Sequence, residues 1–171
     1  MTLNTSARLG SASLDYLYLD YGDAQNAVEV LNPDGTKHLI AGRSFKAGQI
    51  VSNLLCVSQR SNPTRYTVQI GFYQHADIAF PWPSANHSCA PNLLFDTTRM
   101  LITATREIRQ GDELTYFYPS TEWDMAEPFL CLCRSEQCLQ HIRGARHLPP
   151  DVLSRYYFNP HIMALLRQGP R

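Results

Sequence analysis

Apolar and polar positions along most of this chain alternate in short runs, each ended by Gly, Pro, Asn or Asp. Period-two alternation of this kind fits strands with one buried face. Leucines and tyrosines interleave with Asp15 and Asp20 from Leu14 to Tyr21, which predicts an edge strand after a loose terminus. A second strand is expected at Ala27 to Leu31. It leads into Asn32-Pro33-Asp34-Gly35, a turn in which Pro fixes φ and Gly accepts positive φ. The returning strand is His38 to Ala41, so the pair should form a hairpin. Further strands are predicted at Ile50 to Cys56, Tyr66 to Gly71, Leu93 to Asp96 and Met100 to Ala104. The period changes after Pro149-Pro150. Val152, Leu153, Tyr156 and Tyr157 recur at helical spacing, Pro160 interrupts them, and a second short helix is expected from His161 to Arg167 as a cover over the sheet edge. No internal repeat or low-complexity tract is present, so the chain reads as one mainly β domain with a helical tail.

Composition narrows the function classes. The 171 residues carry 15 Lys plus Arg against 15 Asp plus Glu. Like charges never run to five in a row, which argues against nucleic-acid binding through a basic face. No apolar stretch approaches the roughly 20 residues of a membrane-spanning helix, and Met1 to Gly10 lacks the apolar core of a signal peptide. An intracellular protein, cytoplasmic or nuclear and neither secreted nor membrane-bound, is therefore expected. Five cysteines are present, an odd count that disfavours a disulfide framework. Cys131, Cys133 and Cys138 fall within one short run at metal-ligand spacing, although small buried side chains would also suit a cysteine cluster.

The specific signal is a set of motifs in order. Asn86-His87-Ser88-Cys89-Ala90-Pro91-Asn92 resembles the NHSCxPN signature of SET-domain methyltransferases. Arg106 to Tyr118, with Gly111-Asp112-Glu113-Leu114-Thr115-Tyr116-Phe117-Tyr118, resembles the family segment that ends in two tyrosines. Phe129-Leu130-Cys131-Leu132-Cys133 with Cys138, Ile142 and Gly144 resembles the post-SET motif, and His38-Leu39-Ile40-Ala41 through Phe45-Lys46-Ala47-Gly48 resembles the opening strand and turn. The resemblance implies a fold of small curved β-sheets in which a C-terminal segment threads beneath an earlier loop as a pseudoknot. It divides the chain into an N-terminal extension (1–27), a SET domain (28–128), a post-SET zinc segment (129–148) and the helical tail (149–171).

It also implies a function: transfer of a methyl group from S-adenosylmethionine to an amine, in first place a protein lysine and otherwise a free amino acid or other small amine. A non-catalytic binding module is the reading from another class. By the same resemblance Tyr118 is the catalytic tyrosine, while Tyr66, Tyr116 and Phe117 line the substrate channel. A hydroxyl at Tyr116 would favour monomethylation. His38, Asn86, His87, Phe129 and Leu132 would hold the cofactor, the His87 imidazole edge meeting its adenine end. Cys89 would join Cys131, Cys133 and Cys138 as ligands of a structural zinc, leaving Cys56 to pack in a strand. Two departures stand out. Thr36-Lys37-His38 replaces a glycine-bearing segment that lets backbone approach the cofactor, and Phe117 replaces an aspartate. The stretch from Cys56 to Pro83 is short for a substrate-reading insert. Glu122, Asp124 and Glu127 form an acidic set that reads either as a lure for a basic substrate or as a solvated loop.

Overall fold

A computed structural model describes residues 25–169; the strand expected at Leu14 to Tyr21 lies outside them. Strands β1 (Ala27–Leu31) and β2 (Lys37–Ala41) form the expected antiparallel hairpin, with Ala27 opposite Ala41 and Leu31 opposite Lys37. Its turn closes as the residue types require. Gly35 takes φ +83°, and its N–H donates to the Asn32 carbonyl at 2.9 Å.

The predicted strand from Ile50 to Cys56 is two strands, β3 (Ile50–Asn53) and β4 (Cys56–Arg60). Leu54, buried between them, turns the chain from one sheet to another. Strand β5 (Thr67–Gln69) is shorter than its apolar run, and β6 (His75–Ile78) was not anticipated: its residues alternate polar and apolar, but four of them make too short a run to stand out from the surrounding loops. The order β4-β6-β5 makes a three-stranded antiparallel sheet with β4 exposed along an edge.

A five-stranded sheet runs β3-β9-β8-β10-β7, using β7 (Asn86–His87), β8 (Leu93–Asp96), β9 (Leu101–Ala104) and β10 (Thr115–Tyr116). Strand β10 arrives late in the chain and inserts between β7 and β8, parallel to both, with Thr115 opposite Asn86 and Tyr116 opposite His87. Asn92 fastens this insertion. Its Nδ2 donates to the Glu113 carbonyl at 2.8 Å and its Oδ1 accepts the Thr115 N–H at 2.9 Å, so one buried amide satisfies polar backbone that a two-residue strand leaves unpaired. The threaded fold implied by the sequence motifs is thus present. Around it, Phe45, Leu93, Phe95, Ile102, Ile108 and Leu114 pack with Trp82 as the main core.

Strands β11 (Phe129–Leu130) and β12 (His141–Ile142) bracket the cysteine run. Gly144 follows at φ +111°, where a Cβ would lie 2.5 Å from the Trp123 carbonyl oxygen, so only glycine fits. Helix α1 (Pro150–Leu153) is shorter than expected, and α2 (Pro160–Gln168) begins at Pro160 itself. The proline does not interrupt a helix; it starts one, since its fixed φ and missing N–H suit the first turn. Tyr156, Phe158 and Ile162 then pack on Phe117, forming a second core. Among the described residues no helix is long and apolar enough to cross a membrane.

Candidate active site and metal centre

A cavity of about 480 Å³ is bordered by β5, β7, β10 and β11, with Tyr66, Tyr116, Tyr118, Glu122, His87 and Phe129 on its walls. Extended backbone explains which tyrosines face it. Tyr116 and Tyr118 lie on one side of the chain and Phe117 on the other. Phe117 is 3% exposed and stacks on Tyr156 with ring centroids 3.8 Å apart. It is a core residue, not a channel residue, because the tail that covers this side of the strand needs an aromatic partner where an aspartate would be buried unpaired.

Tyr116 stacks on Phe95 at 3.9 Å and tilts against Tyr118 at 4.7 Å. The Tyr118 hydroxyl donates to the Ala85 carbonyl at 2.9 Å. Burial pushes its pKa well above the ordinary tyrosine value; the Arg65 charge opposes this and Glu122 reinforces it. Tyr118 therefore stays a neutral hydrogen-bonding phenol and cannot serve as a base near neutral pH. Tyr66 is 57% exposed at the cavity's edge, with the Arg65 guanidinium over its ring.

On the opposite wall the His87 ring is wedged among Phe117, Tyr118 and Phe129, with centroids 5.3–5.7 Å away. Its Nδ1 accepts the Tyr118 N–H at 3.2 Å, which assigns the proton to Nε2, 3.3 Å from Cys89 Sγ. Burial lowers its pKa to about 3, so the ring is neutral. Both nitrogens are engaged. The expected imidazole edge is thus unavailable to an adenine; His87 instead couples the tyrosine turn to the cysteine cluster. Asn86 Nδ2 reaches the Lys37 carbonyl at 3.2 Å and Glu113 Oε1 at 3.3 Å, tying β2 to the segment before β10. His38 is off the cavity wall, in register with Val30 within the β1–β2 hairpin. Phe129 and Leu132 do line the cavity, Leu132 at 78% exposure.

Cys89, Cys131, Cys133 and Cys138 come together as the family resemblance implied, all four sulfurs within 4.8 Å of one another. A tetrahedral zinc with Zn–S near 2.3 Å needs sulfurs about 3.8 Å apart, and Cys89 and Cys131 Sγ are already at 4.0 Å. The chemistry also fits. Burial, with the neighbouring Cys133, pushes the Cys89 thiol up to about 11, and Cys131 is raised too. At Cys133 burial is outweighed by hydrogen bonds from Ser135, which bring the thiol down to about 6, and the four sulfurs together are compatible with a zinc that would take them as thiolates. The Leu139 N–H pointing at Cys89 Sγ at 3.4 Å and the Nε2 of His87 are the donors such a centre uses around its ligands. Cys56 lies in β4 as a strand residue but is exposed and outside the cluster.

The acidic set divides. Asp124 pairs with Arg146 at 2.8 Å and His147 at 2.9 Å, and Glu127 faces Arg65 at 3.8 Å. Glu122 is 7% exposed and on the cavity wall. Its Oε1 accepts the Gln69 N–H at 2.8 Å and the Thr121 hydroxyl at 3.1 Å, while Oε2 stands 4.0 Å from His75 Nδ1. Burial raises its pKa to about 7 despite those two donors. No local pattern announces it, for it is brought in by the 3-10 turn Tyr118–Ser120 and held by a residue 53 positions away.

A SET domain model matches residues 36–119. Over 125 residues the chain is 41% identical to "Methyltransferase flvH" of Aspergillus flavus, covering 72% of this chain and 70% of that protein. It is 41% identical over 64 residues to "Probable histone-lysine N-methyltransferase set-23" of Caenorhabditis briggsae, 33% of this chain and 27% of that one. With "Histone-lysine N-methyltransferase, H3 lysine-4 specific" of Emericella nidulans the identity is 40% over 60 residues, 5% of that protein. The fold is also similar to the "crystal structure of KRYPTONITE in complex with mCHG DNA and SAH", with a TM-score of 0.52 over 65% of this chain and 27% of that chain, at 21% identity. The chain belongs to the SET-domain family of methyltransferases.

Proposed function

We propose that the protein transfers a methyl group from S-adenosylmethionine to an amine nitrogen, with a lysine side chain as the leading acceptor. The observation that carries this is the single cavity that joins the β7 and β11 walls to Tyr66, Tyr116 and Tyr118. S-adenosylmethionine supplies an electrophilic methyl on a sulfonium, and displacement there asks the protein mainly for alignment. The β7 backbone at Asn86 and His87, with the Phe129 and Leu132 side chains on the cavity wall, would hold it. Tyr118 donates to Ala85 and presents a fixed phenol beside the acceptor's path. Tyr116, locked by its stack on Phe95, narrows the same space, which favours addition of one methyl. The four cysteines would hold a structural zinc with no open position, clamping β11 and β12 beside the cavity.

A small-amine acceptor is favoured by one feature. The stretch between Cys56 and Pro83 folds only into β4, β6 and β5, leaving little surface to read an extended peptide. Retention of Tyr118 on the cavity wall speaks for turnover over a purely binding role. The test is calorimetry with S-adenosylmethionine, followed by labelled-cofactor assays on lysine-rich proteins, lysine peptides and free amines. Micromolar cofactor binding and a labelled nitrogen in one class are expected. Failure to bind the cofactor would overturn the proposal.

A further inference from the structure

An amine that reaches the cavity near neutral pH arrives as an ammonium, since an unperturbed lysine has a pKa of about 10.4. Only the neutral amine can attack a sulfonium carbon, so something must take the proton. The Tyr118 phenol is itself protonated, and the His87 nitrogens are both engaged. Glu113 and Glu127 lie at the cavity's exposed rim, where Asn86 and Arg65 respectively meet them. Glu122 alone among these carboxylates is buried.

We propose that Glu122 is the anionic seat for the substrate ammonium and accepts its proton before methyl transfer. The assignment rests on the amine N-methyltransferase reading. In the first step an N–H bond of the ammonium breaks, its electron pair stays on nitrogen, and the proton forms an O–H bond at Glu122 Oε2. In the second, the nitrogen pair forms the new N–C bond while the S–C bond breaks and its pair returns to sulfur. The carboxyl proton leaves to solvent when product departs.

The geometry supports each part. Oε1 is fixed by two donors, the Gln69 N–H and the Thr121 hydroxyl, so the carboxylate cannot swing away. Gln69 is fixed in turn, its Oε1 accepting the Trp123 N–H at 2.8 Å. Oε2 has His75 Nδ1 at 4.0 Å, and that nitrogen is buried without a hydrogen-bond partner among the described residues. His75 does not compensate the carboxylate as a cation, because burial and the nearby His161 hold it neutral. The other titratable groups around this wall are His161 from α2, itself kept neutral by burial, Tyr116, Tyr118 and, farther out, Arg65. The cavity therefore contains a buried carboxylate with no adjacent fixed cation, and a substrate ammonium would complete it. Burial tunes the group to titrate at about 7, a suitable affinity for a proton taken and released within one turnover.

The test compares the full-length protein with Glu122→Gln, which keeps both Oε1 hydrogen bonds, and with Glu122→Asp, on the best amine found. In the unmodified protein kcat/KM should rise with unit slope up to pH about 7 and then stay level until the amine itself titrates near pH about 10. Glu122→Gln should lose that plateau and depend on the neutral-amine fraction throughout. Between pH about 7 and about 9 its kcat/KM should therefore climb about tenfold per pH unit where the unmodified protein is level, with S-adenosylmethionine affinity within about twofold. Glu122→Asp should restore part of the plateau. A Glu122→Gln profile and kcat/KM matching the unmodified protein would overturn the role of Glu122 and leave the amine reading standing. If no amine is methylated although cofactor binds, the amine reading fails, and n-butylammonium binding to protein loaded with S-adenosylhomocysteine then decides the seat. Binding that weakens at least tenfold in Glu122→Gln supports it. Equal binding, or none to either protein, overturns it.

Discussion

The two ends of the cavity are built on opposite principles. At one end three of four cysteines come from a single short run and a fourth from the β7 motif, meeting within 4.8 Å. At the other, Gln69, His75, Thr121 and Glu122 come from distant strands and turns and hold one carboxylate in place. The cysteine end brings together four sulfurs that could hold a metal ion, so under the zinc reading its charge balance would come from outside the chain. The Glu122 end is shielded by protein alone, and its properties follow from removing water. Each should therefore fail in its own way.

The largest effect is expected at the cysteine end. The protein should carry about one zinc per chain, and zinc binding in small domains is worth on the order of 10 kcal/mol of folding free energy. Cys133→Ser should abolish the metal and expose residues 129–142 to proteolysis, whereas Cys56→Ser, being at an exposed strand position, should do neither. Elemental analysis decides. Zinc retained in Cys133→Ser would remove the cluster as its site.

At the Glu122 end the effect is a pH-dependent stability. The folded pKa is raised to about 7 from 4.5, so the unfolded chain ionises more readily. Stability should fall as pH rises from about 4.5 to about 7 and remain level above that, an amount of about 3 kcal/mol. Glu122→Gln removes the loss. Urea unfolding should find the variant more stable by about that much near pH 8 and indistinguishable near pH 4.5. A constant difference at both pH values would mean that packing, not charge, decides this wall.

Two tyrosines between the ends sharpen the comparison further. Tyr118→Phe keeps the ring contacts with His87, Tyr116 and Phe129 but removes the phenol held at Ala85. Turnover should drop roughly a hundredfold, about 2.7 kcal/mol, with cofactor affinity nearly unchanged. Near-full turnover would place the chemistry elsewhere. Tyr116→Phe should have the smallest energetic effect, because the stack on Phe95 survives. Product mass spectrometry should then find a shift toward higher methylation, and an unchanged distribution would assign the limit to another residue.

Local residue chemistry already determined a good deal. The hairpin at Ala27 to Ala41, the strands Leu93 to Asp96 and Leu101 to Ala104, and the helix entered at Pro149-Pro150 follow from period, turn chemistry and capping, whereas Pro160 was read as a break and starts a helix. Spacing along the chain marked Cys131, Cys133 and Cys138, and the resemblance carried by the ordered motifs implied the threaded fold and Cys89 as the fourth sulfur. Tertiary structure decided what lies across the chain. It split the run at Leu54 between two sheets, added the short β6 as the middle strand of one of them, and turned Phe117 onto Tyr156. It occupied both nitrogens of His87, and it moved Glu122 from an expected acidic loop to a buried wall. The reason is physical. Periodicity and spacing report what a residue is, whereas burial and a charge's partners depend on which distant backbone arrives beside it. For Glu122 that backbone is the N–H of Gln69.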